Sequence, residues 1–358
     1  MAQCFFILVT TTIAHVPRKP QPKTPAKSQP KVPAIIVFGD SSVDSGNNNA
    51  IPTILKANFP PYGRDFPGGR PTGRFSNGRI PPDFISEAFG LKPIVPAYLD
   101  PEYNISDFAT GVCFASAGTG YDVATSNVLK VIPLWKELEY FKDYKKRLRA
   151  LLGDQKANYI ITEALYVMSI GTNDHLENYY LNPLMQARYS IDQYQDVLVG
   201  TAENFLRELY NQGVRKFSLG GIPPMGCLPL ERSTNIIRLR GDTCVEKYNM
   251  VSMSFNAKIS SLVPKLNKEL PGFRLVYANV YDLFWEYIHS PADYGFENTG
   301  RACCATGRFE MSLLCNQLNP LTCADANKFV FWDSFHPSER TNKLISETLL
   351  KTQLKQFF

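Results

Sequence analysis

Five short apolar runs separated by helix-periodic segments constrain this chain more than any other feature of it. The runs lie at 34–38, 111–120, 165–170, 216–222 and 273–280, and their length and β-branched content suit strands covered on both faces. Helical spacing of apolar residues predicts a short helix over 83–89 and longer ones over 134–152, 193–210, 244–270 and 340–354. The basic residues of 134–152 are read as a solvated face. Between 59 and 82 the density of Gly, Pro and Asn excludes a regular element. Strands alternating with helices indicate an α/β chain, with a parallel sheet covered by helices on both faces in a single domain from residue 34 onward.

Three of the runs open into polar turns that carry chemistry. Ala34–Phe38 breaks into Gly39-Asp40-Ser41-Ser42, with Val43-Asp44-Ser45-Gly46-Asn47-Asn48-Asn49 behind it. A serine after a strand usually caps the next helix, so Ser41 needs support from elsewhere. The second run ends in Ser116-Ala117-Gly118-Thr119-Gly120, and the third in Gly171-Thr172-Asn173-Asp174. A fourth stretch, Phe331-Trp332-Asp333-Ser334-Phe335-His336-Pro337, holds a carboxylate and an imidazole three residues apart ahead of a helix. Of the four histidines, His15 falls in the leader and His289 in an apparent loop, leaving His175 and His336 as candidates. A hydroxyl is a poor nucleophile near neutral pH. It needs a base, and the base needs a carboxylate to fix its tautomer. Ser41, His336 and Asp333 supply these, and the Ser41 N–H, an N–H of the Ala117-Gly118 turn and the Asn173 amide supply donors for an oxyanion. The milder readings are Asp40 as a turn support, Asp174 as a helix cap, His175 as a surface or cleft residue and Cys113 as a packed thiol.

Those four blocks, in that order, resemble the plant-type GDSL esterases/lipases of the SGNH hydrolase superfamily over essentially residues 33 to 350. The resemblance implies a three-layer α/β/α fold with a five-stranded, mainly parallel central sheet. It also implies Ser41 as nucleophile, His336 as base and Asp333 as its orienter. Ser41, Gly118 and Asn173 are the implied oxyanion donors, in a secreted glycoprotein acting on carboxylic esters. Ser42 replaces the Leu of the family name, Cys113 replaces an Asn, and Ala117-Gly118 replaces Gly-Gly, which leaves Gly118 or Ala117 open as the second donor. The competing readings are a catalytically weak acyl-binding or acyltransferase relative, and a metallohydrolase built on His336, Asp333 and His175; the latter lacks a further ligand at suitable spacing.

Charge decides the partner class. The formal net charge is +5, but residues 1–33 hold five basic residues and no acidic one, so from 34 onward the chain is balanced. That excludes nucleic acid as the main partner. The run Cys4–Val9 within residues 1–14 reads as the core of a secretory signal peptide, too short to span a bilayer. Residues 15–33, with six prolines, read as a solvated linker. The expectation is a secreted monomer with no cofactor, no metal and no stable membrane insertion, acting on a small-molecule or lipid ester. Seven cysteines follow the leader, and their spacing favours disulfides over zinc. Cys227 and Cys244 are expected to pair, Cys303 and Cys304 to take Cys315 and Cys323 in either order, and Cys113 to stay free. Asn104-Ile105-Ser106 is the one glycosylation sequon.

Overall fold

The structure is a computed structural model that describes residues 1, 3, 32–237 and 242–358. Apart from Met1 and Gln3, the leader at 1–14 and the linker as far as residue 31 lie outside the described residues. Lys31–Phe358 form one compact unit. Val32 and Pro33, read from the sequence as the end of the linker, are buried, because Val32 is apolar and packs into the main core as it enters the first strand.

Five strands form the central sheet in the order β2-β1-β3-β4-β5. They are β1 (Ile35–Gly39), β2 (Gly111–Cys113), β3 (Leu165–Ser169), β4 (Lys216–Gly220) and β5 (Arg274–Ala278). Every pairing is parallel, with Ile35 opposite both Gly111 and Leu165, Leu165 opposite Lys216, and Lys216 opposite Arg274. All five carboxyl ends therefore meet one edge, where open α/β sheets bind ligands. Helices connect and cover them: α1 (Pro81–Ala88), α2 (Val123–Leu129), α3 (Leu134–Leu152), α4 (Asp154–Glu163), α5 (Pro183–Arg188), α6 (Ile191–Asn211), α7 (Pro229–Ile237), α8 (Glu246–Glu269), α9 (Val280–His289) and α10 (Glu339–Lys351).

β1 is buried along its whole length. On one face of the sheet the Phe38 ring meets Phe141 of α3 at 5.6 Å and Phe205 of α6 at 5.4 Å. Truncating such a ring in a packed core costs roughly 3–5 kcal/mol. On the other face α1 packs on β1 and on α10. The result is the expected three-layer arrangement. The stretch expected to hold no regular element, 59–82, contains a 3-10 turn at Pro67–Gly69 and the start of α1, because Pro81 and Pro82 suit the first turn of a helix. It is held by a buried, bidentate ion pair from Arg74 to Asp83, both bonds 2.8 Å, and Asp83 also caps α1 by accepting the Ile80 N–H at 3.1 Å.

A second, two-stranded parallel sheet joins β6 (Asn298–Ala302) to β7 (Phe329–Phe331). Asn-Thr-Gly-Arg-Ala has little intrinsic strand preference. What holds it is the neighbourhood. The Cys303 and Cys304 N–H groups donate to Phe331 and Trp332 at 3.0 and 2.7 Å, and disulfides Cys303–Cys323 and Cys304–Cys315 tie the same two residues. Cys227–Cys244 is the third disulfide and Cys113 is free and buried, as expected. Lys145 departs from the solvated face read for α3. It is buried, donates to the Gln212 carbonyl and side chain at 2.6 and 2.8 Å, and is pushed by burial down to about 8.

Candidate active site

The turn after β1 sorts its two serines. Gly39 has φ +129°, and a Cβ there would lie 2.1 Å from the Ser169 carbonyl, so only glycine fits where β1 leaves the sheet. The Gly39 N–H donates to Glu137 of α3 at 2.9 Å, and the Asp40 N–H donates to Ser169 at 2.9 Å. Asp40 then organises the bend: its carbonyl accepts the Val43 and Asp44 N–H groups, and its carboxyl accepts the Ser42 N–H at 3.0 Å. The Ser42 hydroxyl sits 2.7 Å from that carboxyl and 2.8 Å from Ser169 Oγ. Ser42 is thus bound inside the turn, while Ser41 is left facing the far loop.

That loop leaves β7 and brings Asp333 and His336 to Ser41. His336 Nε2 lies 2.8 Å from Ser41 Oγ, and its Nδ1 lies 2.9 Å from each oxygen of Asp333. The Asp333 carboxylate also accepts the Phe335 and His336 N–H groups at 2.9 and 2.7 Å. Asp333, His336 and Ser41 are 0%, 3% and 5% exposed, so little water competes for these bonds. With a carboxylate on Nδ1, the proton belongs there, and Nε2 is free to accept from Ser41. The Phe75 ring lies 4.8 Å from the imidazole and limits its movement.

The neighbouring turns hold the N–H groups that the sequence offers as donors for an oxyanion. The Ala117 N–H is committed to Asp44 Oδ2 at 3.1 Å, whereas the Gly118 and Ser41 N–H groups have no acceptor among the described residues. Of the two residues left open by the sequence, Gly118 is the one with an N–H to offer, and its φ of +86° turns the backbone there. The Asn173 amide donates to the Thr119 carbonyl at 3.0 Å and keeps a second hydrogen. The Asn47-Asn48 pair, unassigned in the sequence, pins this turn. Asn47 donates to the Cys113 and Ala115 carbonyls at 2.9 and 2.8 Å, and Asn48 to Ala117 at 3.0 Å.

Three side chains differ from their sequence readings. Asp174 is no cap of its own helix: it accepts the Tyr121 and Asp122 N–H groups and the Thr125 hydroxyl, which ties the third turn to the second. His175 is neither surface nor cleft; it is fully buried, Nδ1 meets the Gly171 carbonyl at 2.7 Å, and burial lowers it to about 4. It therefore stays neutral near pH 7. His289 ends α9 instead of lying in a loop, with its ring stacked on Trp285 at 3.9 Å. Cys113 is a packed thiol whose burial pushes it far above the ordinary range. No group of three or more His, Cys, Asp or Glu among the described residues is placed to hold a metal ion.

Burial also raises the acids around the site, Asp40 to about 6 and Glu177 to about 7. Beside Ser41 and His336 opens a cavity of about 100 Å³, running between the sheet and the α1, α9 and α10 layer. Small residues on the sheet side, Ser169, Ser218, Gly220 and Ala278, leave the space, and Ile85, Phe284 and Ile345 make its far wall apolar.

Comparison with known proteins gives the family. The sequence model of the GDSL-like lipase/acylhydrolase family matches residues 35–349. The chain is 62% identical over 328 residues to the GDSL esterase/lipase At2g42990 of Arabidopsis thaliana, covering 91% of this chain and 92% of the relative. It is 60% identical over 325 residues to the GDSL esterase/lipase At4g26790 of the same plant, with 91% and 92% covered. With most of its length matched at that identity, the chain belongs to the GDSL lipase/acylhydrolase family.

Proposed function

We propose that this chain is a secreted serine hydrolase that cleaves carboxylic esters through an acyl-enzyme on Ser41. The observation that carries the reading is the 2.8 Å approach of Ser41 Oγ to His336 Nε2 with Asp333 on the opposite nitrogen. Ser41 Oγ attacks the ester carbonyl while His336 takes its proton, and Asp333 stabilises the imidazolium. The carbonyl oxygen, now negative, is met by the Ser41 and Gly118 N–H groups and the Asn173 amide. Collapse breaks the C–O bond to the alcohol, which leaves with the proton from His336. Water, deprotonated by the same nitrogen, then attacks the acyl carbon and releases the acid and free Ser41. The apolar cavity beside Ser41 suits an aliphatic part of a small-molecule or lipid ester. Secretion is supported by three disulfides and the leader-like run at 1–14. Asn104 is exposed, as a glycosylation site must be.

The test is a panel of p-nitrophenyl esters of rising chain length with wild type, Ser41→Ala and Ser42→Ala. Ser41→Ala is expected to lower kcat by several orders of magnitude, and Ser42→Ala to have a mild effect. A Ser42→Ala protein that is dead beside an active Ser41→Ala protein would overturn the assignment.

A further inference from the structure

Asp333 has one partner that the triad does not account for. Tyr62 is fully buried, and its hydroxyl donates to Asp333 Oδ2 at 2.6 Å while accepting the Ser312 N–H at 2.8 Å. Its ring is walled by Phe59, Phe75 and Trp332, with centroids 5.8, 5.8 and 6.2 Å away. Phe75 is also the ring against His336. Three separate segments thus meet on one phenol: the 59–66 turn, the loop bridged by Cys304–Cys315 and the Asp333 loop.

We propose that Tyr62 is a positioning residue for the reaction, setting the direction of the Asp333 carboxylate and sharing its charge. The proposal rests on the triad reading above. Without Tyr62, Oδ2 would face only the imidazole, and the two backbone donors would act on Oδ1 alone. The Ser312 N–H polarises the phenol and strengthens its donation to Asp333. Burial first, and the Asp333 charge second, hold the phenol far above its ordinary range, so it remains a donor throughout the working pH range. By sharing the carboxylate's negative charge, Tyr62 weakens its hold on the imidazolium. Loss of the Tyr62 bond leaves that charge to the imidazole side alone, a change that the pH profile of the reaction reads.

The test is the pH profile of kcat/KM for wild type, Tyr62→Phe and a protein with 3-fluorotyrosine incorporated at position 62. Tyr62→Phe keeps the ring and deletes the bond, so the acid limb is expected to move up by about half a pH unit or more. The plateau of kcat is expected to fall about tenfold, the scale of one lost charge-assisted bond. Fluorination makes the phenol a stronger donor in nearly the same shape, and the acid limb is expected to move down. Asp40 and Glu177 also carry charge towards His336, and neither is altered by these changes. Opposite shifts of the two proteins support the proposal. A lowered Tm with both acid limbs unmoved would overturn it and leave Tyr62 a packing residue. Should Tyr62→Phe fail to fold, the fluorinated protein decides alone: an unmoved limb overturns the proposal. Failure of the triad reading is read separately, as hydrolysis that survives Ser41→Ala.

Discussion

The Asp44 carboxylate accepts the Ala117 N–H at 3.1 Å across 73 residues of chain, and so anchors the turn whose next amide belongs to Gly118. The other oxygen of Asp44 accepts the Gly46 and Asn47 N–H groups at 2.7 and 2.8 Å, which joins the Ser41 turn to the Gly118 turn through a single side chain. Asp44→Ala strands three backbone donors at a fully buried position. At about 1–3 kcal/mol for each unsatisfied group, a loss of several kcal/mol in stability is expected by denaturant unfolding. Any folded fraction is expected to show a lower kcat with little change in KM. An Asp44→Ala protein of wild-type stability and kcat would show that this link is idle.

Asn173 gives a cleaner test of the oxyanion donors, because its second contact, to Thr119, is local to the site. Removal of one such donor costs about 3 kcal/mol of the barrier. Asn173→Ala is therefore expected to lower kcat by two to three orders of magnitude. An effect confined to KM would place Asn173 in substrate binding instead.

Buried acids set the response of stability to pH. Burial raises Asp40 and Asp44 to about 6, Asp174 and Glu177 to about 7, and Glu137 well above its ordinary value. The unfolded chain gives up these protons near the ordinary carboxyl values of 3.8 and 4.5. Between there and about pH 7 the folded state binds more protons than the unfolded one, so stability falls as pH rises through that window. His175, lowered to about 4, works in the other direction from about 4 to 6.5, and the lowered carboxyls of Asp107, Glu203, Glu208, Glu310 and Asp325 do so only at the acid end, below the range from pH 5 to 8. Scanning calorimetry is expected to give a higher Tm at pH 5 than at pH 8. A Tm that rises between them would mean that hydrogen bonding to the ionised acids outweighs their burial.

The cysteines give a chemical test. Unfolded without reductant and alkylated, the protein is expected to label at Cys113 and at no other cysteine beyond Cys4. Reduction should lower Tm markedly, since each bridge contributes about 2–4 kcal/mol. Alkylation of Cys227 or Cys304 in the unreduced protein would contradict the pairing.

Local pattern carried the sheet into view, and long-range partnership hid the rest. The five strands were legible because runs such as Ile35-Ile36-Val37-Phe38 are buried on both faces and show it in composition. α3 was legible to the residue, since Leu134, Phe141 and Leu148 keep helical spacing on its buried side. Ser41, Asp333 and His336 could be read because each stands in a distinctive block. Tyr62 could not, because its block says only that the chain turns, and its partners Ser312 and Asp333 lie 250 and 271 residues away. The same holds for Glu137, an acid on an otherwise ordinary helix that takes the Gly39 N–H 98 residues back. β6 was invisible for a different reason: Asn298–Ala302 owes its pairing to adjacent crosslinks and not to its own residues.

Ser41 and His336 are separated by 295 residues, and α1, near the start of the domain, packs against α10 at its end. On the proposed mechanism, a chain still on the ribosome carries the serine for almost the whole of its synthesis without the base that would activate it. Products that stop short of residue 336 hold Ser41 without its partner His336. On that mechanism, reactivity towards esters has to wait until the last tenth of the polypeptide has been made and has closed over the first.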